Sequence, residues 1–410
     1  MKNTHVVSAV IFLSCILPLA ARSDSPIAFH QLAKLTASDG RPSDWLGYSI
    51  AMSGDTLVAG APQFSNGGVG KAYVFVKPAT GWADAIQTAE LTPSAGFAGP
   101  GFGWRVAING DTIVVDAGSG DGTGTQAVYV FVEPVGGWTD MTETAKLTLT
   151  NGNFLFIVAL NGNTIAAGAT EETVGSNQYQ GAVYIFEKPK SGWRTGQAPT
   201  ARLTASDGRA NDYLGFALSM NASTLVATSP NNGAYVFVRP SGGWKTATQN
   251  AKLTASNETG VDEYGYTASI SGGTIVVGAY AAGANQAYIG AAYLYFQPST
   301  GWVNATQNAE IMASNAGNNN YFGVSVEVAG DFMVVGADGV NVLGNQYEGA
   351  AYVFEGTTQI TELTPTPGQA GEEMGWSVAA SGNTVAAGAV YANVGSNSQQ
   401  GMVYVFAPQR

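Results

Sequence analysis

The apolar positions of this chain fall in short, nearly continuous runs rather than clean alternations, as in Ala72 to Val76 and Thr112 to Val115. Runs of that length, bounded by Gly, Asn, Asp and Ser, predict short strands whose two faces are both covered. Between successive runs stand the tetrapeptides SGDT, NGDT, NGNT, NAST, SGGT, AGDF and SGNT. They place Gly, Asn or Asp where a two-residue hairpin needs a positive φ, so tight antiparallel hairpins are expected.

The pattern recurs. The segment KLTAS at Lys34 returns as ELTPS, KLTLT, RLTAS, KLTAS, EIMAS and ELTPT, anchored at Leu35, Leu91, Leu147, Leu203, Leu253, Ile311 and Leu363. Successive anchors lie 56, 56, 56, 50, 58 and 52 residues apart. Each copy runs through an aromatic-plus-glycine element, a strand, the hairpin turn, a second strand ending in Gly-Ala, a variable loop and a Tyr-Val-Phe-like strand. In the first copy these are Trp45-Leu46-Gly47-Tyr48, Gly54-Asp55, Thr56 to Ala61, and Ala72 to Val76, with Ala89 to Thr92 as fourth strand. Four short strands in each of seven units predict an all-β fold, a seven-bladed β-propeller of four-stranded antiparallel sheets. Copy seven stops at its third strand, Val403 to Phe406, while Leu32 to Ala37 is a fourth-type strand with no blade before it. The N-terminal strand is therefore expected to complete the last blade beside Tyr404 and close the ring.

Trp45-Leu46-Gly47, Phe102-Gly103, Leu214-Gly215 and Phe322-Gly323, with the recurring Val/Ala-x-Gly-Ala and the sequence Gly60-Ala61-Pro62, resemble the FG-GAP repeats of integrin α-subunit propellers. The resemblance covers essentially all of the chain after its leader and implies an extracellular, adhesion-like binding role. In that family several repeats carry a calcium loop of the D-x-D-x-D-G kind before the second strand. No Asp-x-Asp occurs here, and the equivalent positions are short turns around Asp55, Asp111, Asn163 and Asn383. One carboxylate per turn does not make a six- to eight-oxygen cage, so neither calcium nor another cofactor is expected. The third copy is irregular, with Asn153-Phe154-Leu155-Phe156 where others have a glycine between large residues.

Composition fits this picture: 54 glycines and only 11% charged residues in 410 favour turns and strands over solvent-facing helices. Residues 1–23 read as a secretory signal, with Lys2, an apolar stretch from Val6 to Ala20, and small residues around Ala21 and Ser23. Residues 24–410 are then one exported propeller domain. The stretch is short for a membrane span and nothing later approaches the length, so no membrane insertion is expected. Cys15 is the only cysteine, which leaves no disulfide after cleavage. The net charge of −12 becomes −14 without residues 1–23 and argues against nucleic acid as a partner. A monomer is expected.

In an up-and-down blade, the loops joining strands two to three and those joining one blade to the next emerge on one face. Here these are the long, variable ones, and variation is where recognition usually sits. The candidate ligand-binding residues on that face are Asp44, Trp45, Tyr179, Asp212, Tyr213, Glu263, Tyr264, Tyr288, Tyr321, Tyr347 and Glu373. Their chemistry suits a glycan, by hydrogen bonds and ring stacking, or a protein, by tyrosine anchors. Five further aromatics, Trp82, Trp138, Trp193, Trp244 and Trp302, recur in a Pro-x-x-Gly-Trp turn and are read as covers for blade junctions.

Only His30 remains after cleavage, which excludes a His-based triad or a multi-histidine zinc site. No Gly-x-Ser-x-Gly elbow or Gly-x-x-x-x-Gly-Lys loop is present, and the Gly118 to Gly124 stretch has no following helix to cradle phosphate. Acid pairs at Glu171-Glu172, Asp262-Glu263 and Glu372-Glu373 leave carboxylate chemistry open. The leading reading is a secreted, non-enzymatic binding protein. The alternatives are a carbohydrate-active enzyme working from the same face and a structural surface component.

Overall fold

The computed structural model describes residues 28–94, 101–117, 127–148, 157–230, 232–257, 262–283 and 287–409. The leader, the glycine-rich stretch from Gly118 to Gly124 and the irregular Asn153 to Phe156 lie outside the described residues.

Seven small sheets stand in a ring. The first blade is Ser49–Ser53, Thr56–Ala61, Lys71–Val76 and Ala89–Thr92, each antiparallel to the next. The seventh is Met374–Ser381, Thr384–Ala389, Met402–Pro408 and, from the other end of the chain, Phe29–Thr36. In that closing pair Lys34 lies opposite Tyr404 and Leu35 opposite Val403. The first strands of all seven blades touch one another in order around a central channel.

Four sheets have a fifth strand that a count of hairpins does not reveal. Ala85–Ile86, from the turn before the fourth strand of blade one, pairs in parallel with Leu35 and Thr36 of blade seven. The same turn binds the previous blade with side chains: Asp84 accepts from Lys34 N at 2.8 Å and Gln87 from Ser38 N at 2.9 Å. Asp140 on Glu90 N and Gln249 on Ser206 N repeat these bonds. Polar residues at fixed positions of the turn thus act as clasps along the outer rim.

There is no single core. Buried apolar residues form seven clusters, one at each junction between neighbouring blades. Strand alternation explains how one sequence feeds two clusters. In Lys71–Val76, Tyr73 and Phe75 pack against blade seven, while Ala72 and Val74 pack against blade two. In Ala127–Val132, Tyr129 and Phe131 face blade one and Val128 and Val130 face blade three. Large rings on one face meet small aliphatics on the next.

The recurring glycines have a shared cause. At five junctions the glycine closing a second strand lies against the backbone of the glycine opening the next blade: Gly60 on Gly103, Gly168 on Gly215, Gly278 on Gly323, Gly336 on Gly375 and Gly388 on Gly47. A methyl group on any of these second-strand glycines would overlap the facing carbonyl oxygen. Blade four has Thr228 instead, and a Cβ added to Gly265 opposite would stand only 3.3 Å from the Thr228 Cβ. Blade two has Asp116, fully buried, accepting a hydrogen bond from Arg105 N at 2.7 Å. Burial holds that carboxyl well above the ordinary range.

Candidate ligand-binding face

The loops after second strands and the loops leading into the next blade share one face and are joined through their backbones. Tyr213 N donates to Tyr179 O at 2.9 Å, Tyr321 N to Tyr288 O at 3.0 Å, Glu373 N to Tyr347 O at 3.1 Å, and Trp45 N to Gln399 O at 3.4 Å. Both members of each pair have left-handed backbone: φ is 55° at Tyr179 and 56° at Tyr213, 52° at Tyr347 and 54° at Glu373. Large residues adopt that conformation at a cost, and here the paired loops enforce it. The consequence is a residue at each crest whose Cα–Cβ bond is set by the paired backbones. Tyr179 and Tyr213 stack with centroids 6.0 Å apart and planes 13° from parallel, and Tyr288 lies 5.8 Å from Tyr321.

Eight of the eleven sequence candidates come together on these crests: Trp45, Tyr179, Tyr213, Glu263, Tyr288, Tyr321, Tyr347 and Glu373. The other three are built into the loops. Asp44 is buried, accepts from Arg41 N at 2.7 Å and holds the Asn66 amide. Asp212 repeats the arrangement with Arg209 N at 2.6 Å and Asn232 at 2.8 Å. Each carboxylate closes the turn that sets up the crest residue after it. Tyr264 is 1% exposed, and its hydroxyl meets that of Tyr295 at 2.6 Å. Its register is that of Leu46 and Leu214, both buried, and Glu263 takes the place of Trp45.

The adjacent acids also point apart. Glu372 is 0% exposed, accepting from Gln369 N at 2.9 Å and from the Tyr404 hydroxyl at 2.8 Å, whereas Glu373 faces the axis. Glu172 is engaged by Arg202 at 2.8 Å, and Asp262 is buried.

At the centre of this face is a cavity of about 530 Å³ over blades five to seven. Tyr266, Tyr280, Tyr321, Tyr347, Trp376 and Tyr391 wall it, and Asp338 and Glu373 are its two acids. Asp338 is 6% exposed, and its Oδ1 has no hydrogen-bond partner among the described residues. Burial, and then the charge of Glu373, push its carboxyl up to about 8, against the pull of the backbone amides of Asp338 and Gly339. Burial alone pushes Glu373 up to about 7. The walls continue as an aromatic belt around the channel mouth: Trp376 is 5.3 Å from Tyr48, Tyr48 4.4 Å from Trp104, and Tyr266 5.6 Å from Phe216.

Sequence reasoning passed over Asp338 and most of the belt, though a signal existed. The residue after each opening glycine is aromatic in Tyr48, Trp104, Phe216, Tyr266 and Trp376. Asp338 directly follows a Gly-Ala strand end, the position of Pro62 and Tyr280 in other copies. The Trp turns lie elsewhere: Trp82, Trp138, Trp193, Trp244 and Trp302 are 4–8% exposed, each inside a junction cluster.

The glycine-to-glycine contacts explain the repeat motif, and the FG-GAP repeat family matches residues 29–75, 86–131, 198–237, 247–295, 305–354 and 357–406. The chain belongs to the FG-GAP repeat family. The FG-GAP segments omit the first three strands of blade three, whose opening residues depart from the motif, yet that blade has all four strands. No curated protein matches the chain in sequence. Among solved structures, the chain is similar to the crystal structure of the computationally designed Ika8 protein, with TM-score 0.50 and 12% identity over 92% of this chain and 99% of that one. This likeness shows the ring fold alone. The FG-GAP propeller is a binding-type scaffold, and among the described residues no helix is long and apolar enough to cross a membrane. No group of three or more His, Cys, Asp or Glu that could hold a metal ion occurs among those residues.

Proposed function

We propose that this FG-GAP propeller is an exported binding protein that holds a glycan on its variable face. The observation carrying the proposal is the aromatic belt: six rings wall a cavity of about 530 Å³, and two of them, Tyr321 and Tyr347, stand on left-handed backbone. Rigid rings supply stacking surface for sugar faces at low entropic cost, and hydroxyls at their edges supply hydrogen bonds. Binding of purified protein to an array of glycans, repeated with Tyr347→Ala, tests the reading. Glycan capture by the wild type that the variant loses supports it; a wild type that captures no glycan overturns it.

One observation favours a second reading, cleavage of the glycan. Asp338 and Glu373 share the cavity with carboxyls near 8 and 7, so close to neutrality one keeps its proton while the other is partly ionised. That is the division of roles an acid and a base need in glycoside hydrolysis. Release of new reducing ends from a bound glycan, abolished by Asp338→Asn, separates cleavage from capture.

A further inference from the structure

We propose that the central cavity recognises a cationic group, an alkylammonium borne by the ligand, and that its capture expels protons from the cavity. The inference rests on the cavity being the ligand site, as above, and does not require the ligand to be a glycan.

Three observations carry it. The lining contains six aromatic rings and two acids but no Lys, Arg or His. Ring faces concentrate negative potential, and a cage of them around carboxylates attracts a positive charge that is only weakly hydrated. Secondly, Asp338 is 6% exposed and its Oδ1 lacks a partner among the described residues. A neutral sugar can hydrogen-bond that oxygen, whereas a cation also stabilises the ionised carboxylate that burial otherwise disfavours. Thirdly, the same belt already holds a cation across the channel mouth. The Arg105 guanidinium lies 5.6 Å from the ring centroids of both Tyr48 and Trp104. Among the described residues no Lys, Arg or His lines the cavity beside Asp338.

Proton release follows from the surroundings. The groups facing the two acids are each other and the hydroxyls of Tyr266, Tyr280, Tyr321, Tyr347 and Tyr391. Glu263 acts on Tyr280 and Tyr266, and Arg105 acts on Tyr266 alone among the tyrosines of the cavity wall. Burial keeps the carboxyls of Asp338 and Glu373 protonated to higher pH than usual. A bound cation favours their ionised forms, so each captured charge displaces protons and affinity rises with pH.

The test is calorimetric titration of the full chain at pH 6 and pH 8.5, in buffers of different ionisation enthalpy, with three probes. These are tetramethylammonium, a glucosamine oligomer carrying permanent trimethylammonium groups, and its neutral N-acetylated counterpart. The expected result is that both cationic probes bind about tenfold tighter at pH 8.5 than at pH 6, with protons released. The double variant Asp338→Asn, Glu373→Gln is expected to lose that pH dependence and at least about tenfold in affinity for the cations. Equal binding of the neutral and trimethylated oligomers, unchanged in the double variant, would overturn the cation inference and leave glycan capture standing. Binding of tetramethylammonium but of neither oligomer would support the cation inference and remove the glycan reading. Folded protein that takes up no cationic probe at pH 8.5 overturns the inference outright.

Discussion

Two sets of aromatic side chains repeat around this ring, and their fates differ. The tryptophans of the Pro-x-x-Gly-Trp turns sit at near-constant spacing, are 4–8% exposed, and each fills the junction to the preceding blade. The aromatics of the opposite loops vary from copy to copy; Tyr179, Tyr213, Tyr288, Tyr321 and Tyr347 stand at positive φ, and Tyr321 and Tyr347 line the central cavity. Regular placement goes with packing, because every junction poses the same steric problem. Irregular placement goes with a site, because a ligand meets only some blades. Backbone conformation separates the two more sharply than residue type does: a tyrosine held left-handed by paired loops is being aimed.

The sharpest way to break the comparison is to truncate one member of the buried set. Trp138→Ala is expected to cost about 3–5 kcal/mol in denaturant unfolding, with ligand affinity of the folded protein unchanged. Loss of affinity at full stability would instead place the Trp turns among the binding groups. Next, Gly60→Ala forces a methyl group onto the Gly103 carbonyl and is expected to cost about 1–3 kcal/mol by the same measurement. A third change probes the cavity through pH. Because the folded carboxyl of Asp338 stands near 8, the folded chain binds more protons than the unfolded one between the ordinary carboxylate range and that value. Stability therefore falls as pH rises through this window. Asp338→Asn is expected to flatten the decline and to raise stability at pH 9 by about 1–3 kcal/mol, read from melting curves at pH 5 and pH 9. Smallest in stability is Tyr347→Ala, expected to shift unfolding by less than about 0.5 kcal/mol while lowering ligand affinity about tenfold. A large drop in melting temperature here would move Tyr347 into the packing set.

The ring was readable from the chain because each unit repeats a complete solution: strand, turn, strand, Gly-Ala, strand. Leu35 and its six counterparts mark the period, and the unpaired fourth-type strand at Leu32 foretells the closure opposite Tyr404. The clasp strands such as Ala85–Ile86 were not readable, since two residues carry no alternation and their pairing reaches into another blade. Residue type and loop position put Tyr179 with Tyr213 and Tyr347 with Glu373 on the variable face, and there their backbones pair. Asp44 and Asp212 lie in the same loops one residue before the crest and accept from the backbone three residues earlier, a turn-closing role that residue type and loop membership alone do not reveal. Tyr264 lies in the turn one residue after the crest position of Glu263, where the chain turns inward and its ring is buried against Tyr295. Asp338 was invisible singly, because nothing local says that a carboxyl after a Gly-Ala strand end meets Glu373 from the next blade.

The seam between Phe29–Thr36 and Met402–Pro408 sets a timetable for synthesis. A ribosome makes the earlier strand before blade one and its sheet partner after blade six, so the first waits while the rest of the ring is translated. Blades one to six can assemble in sequence meanwhile, each against its forerunner, but the circle locks only when the last β-segment emerges. A nascent chain stalled before Met402 is thus expected to be an arc with one sticky edge at each end, a natural target for chaperones.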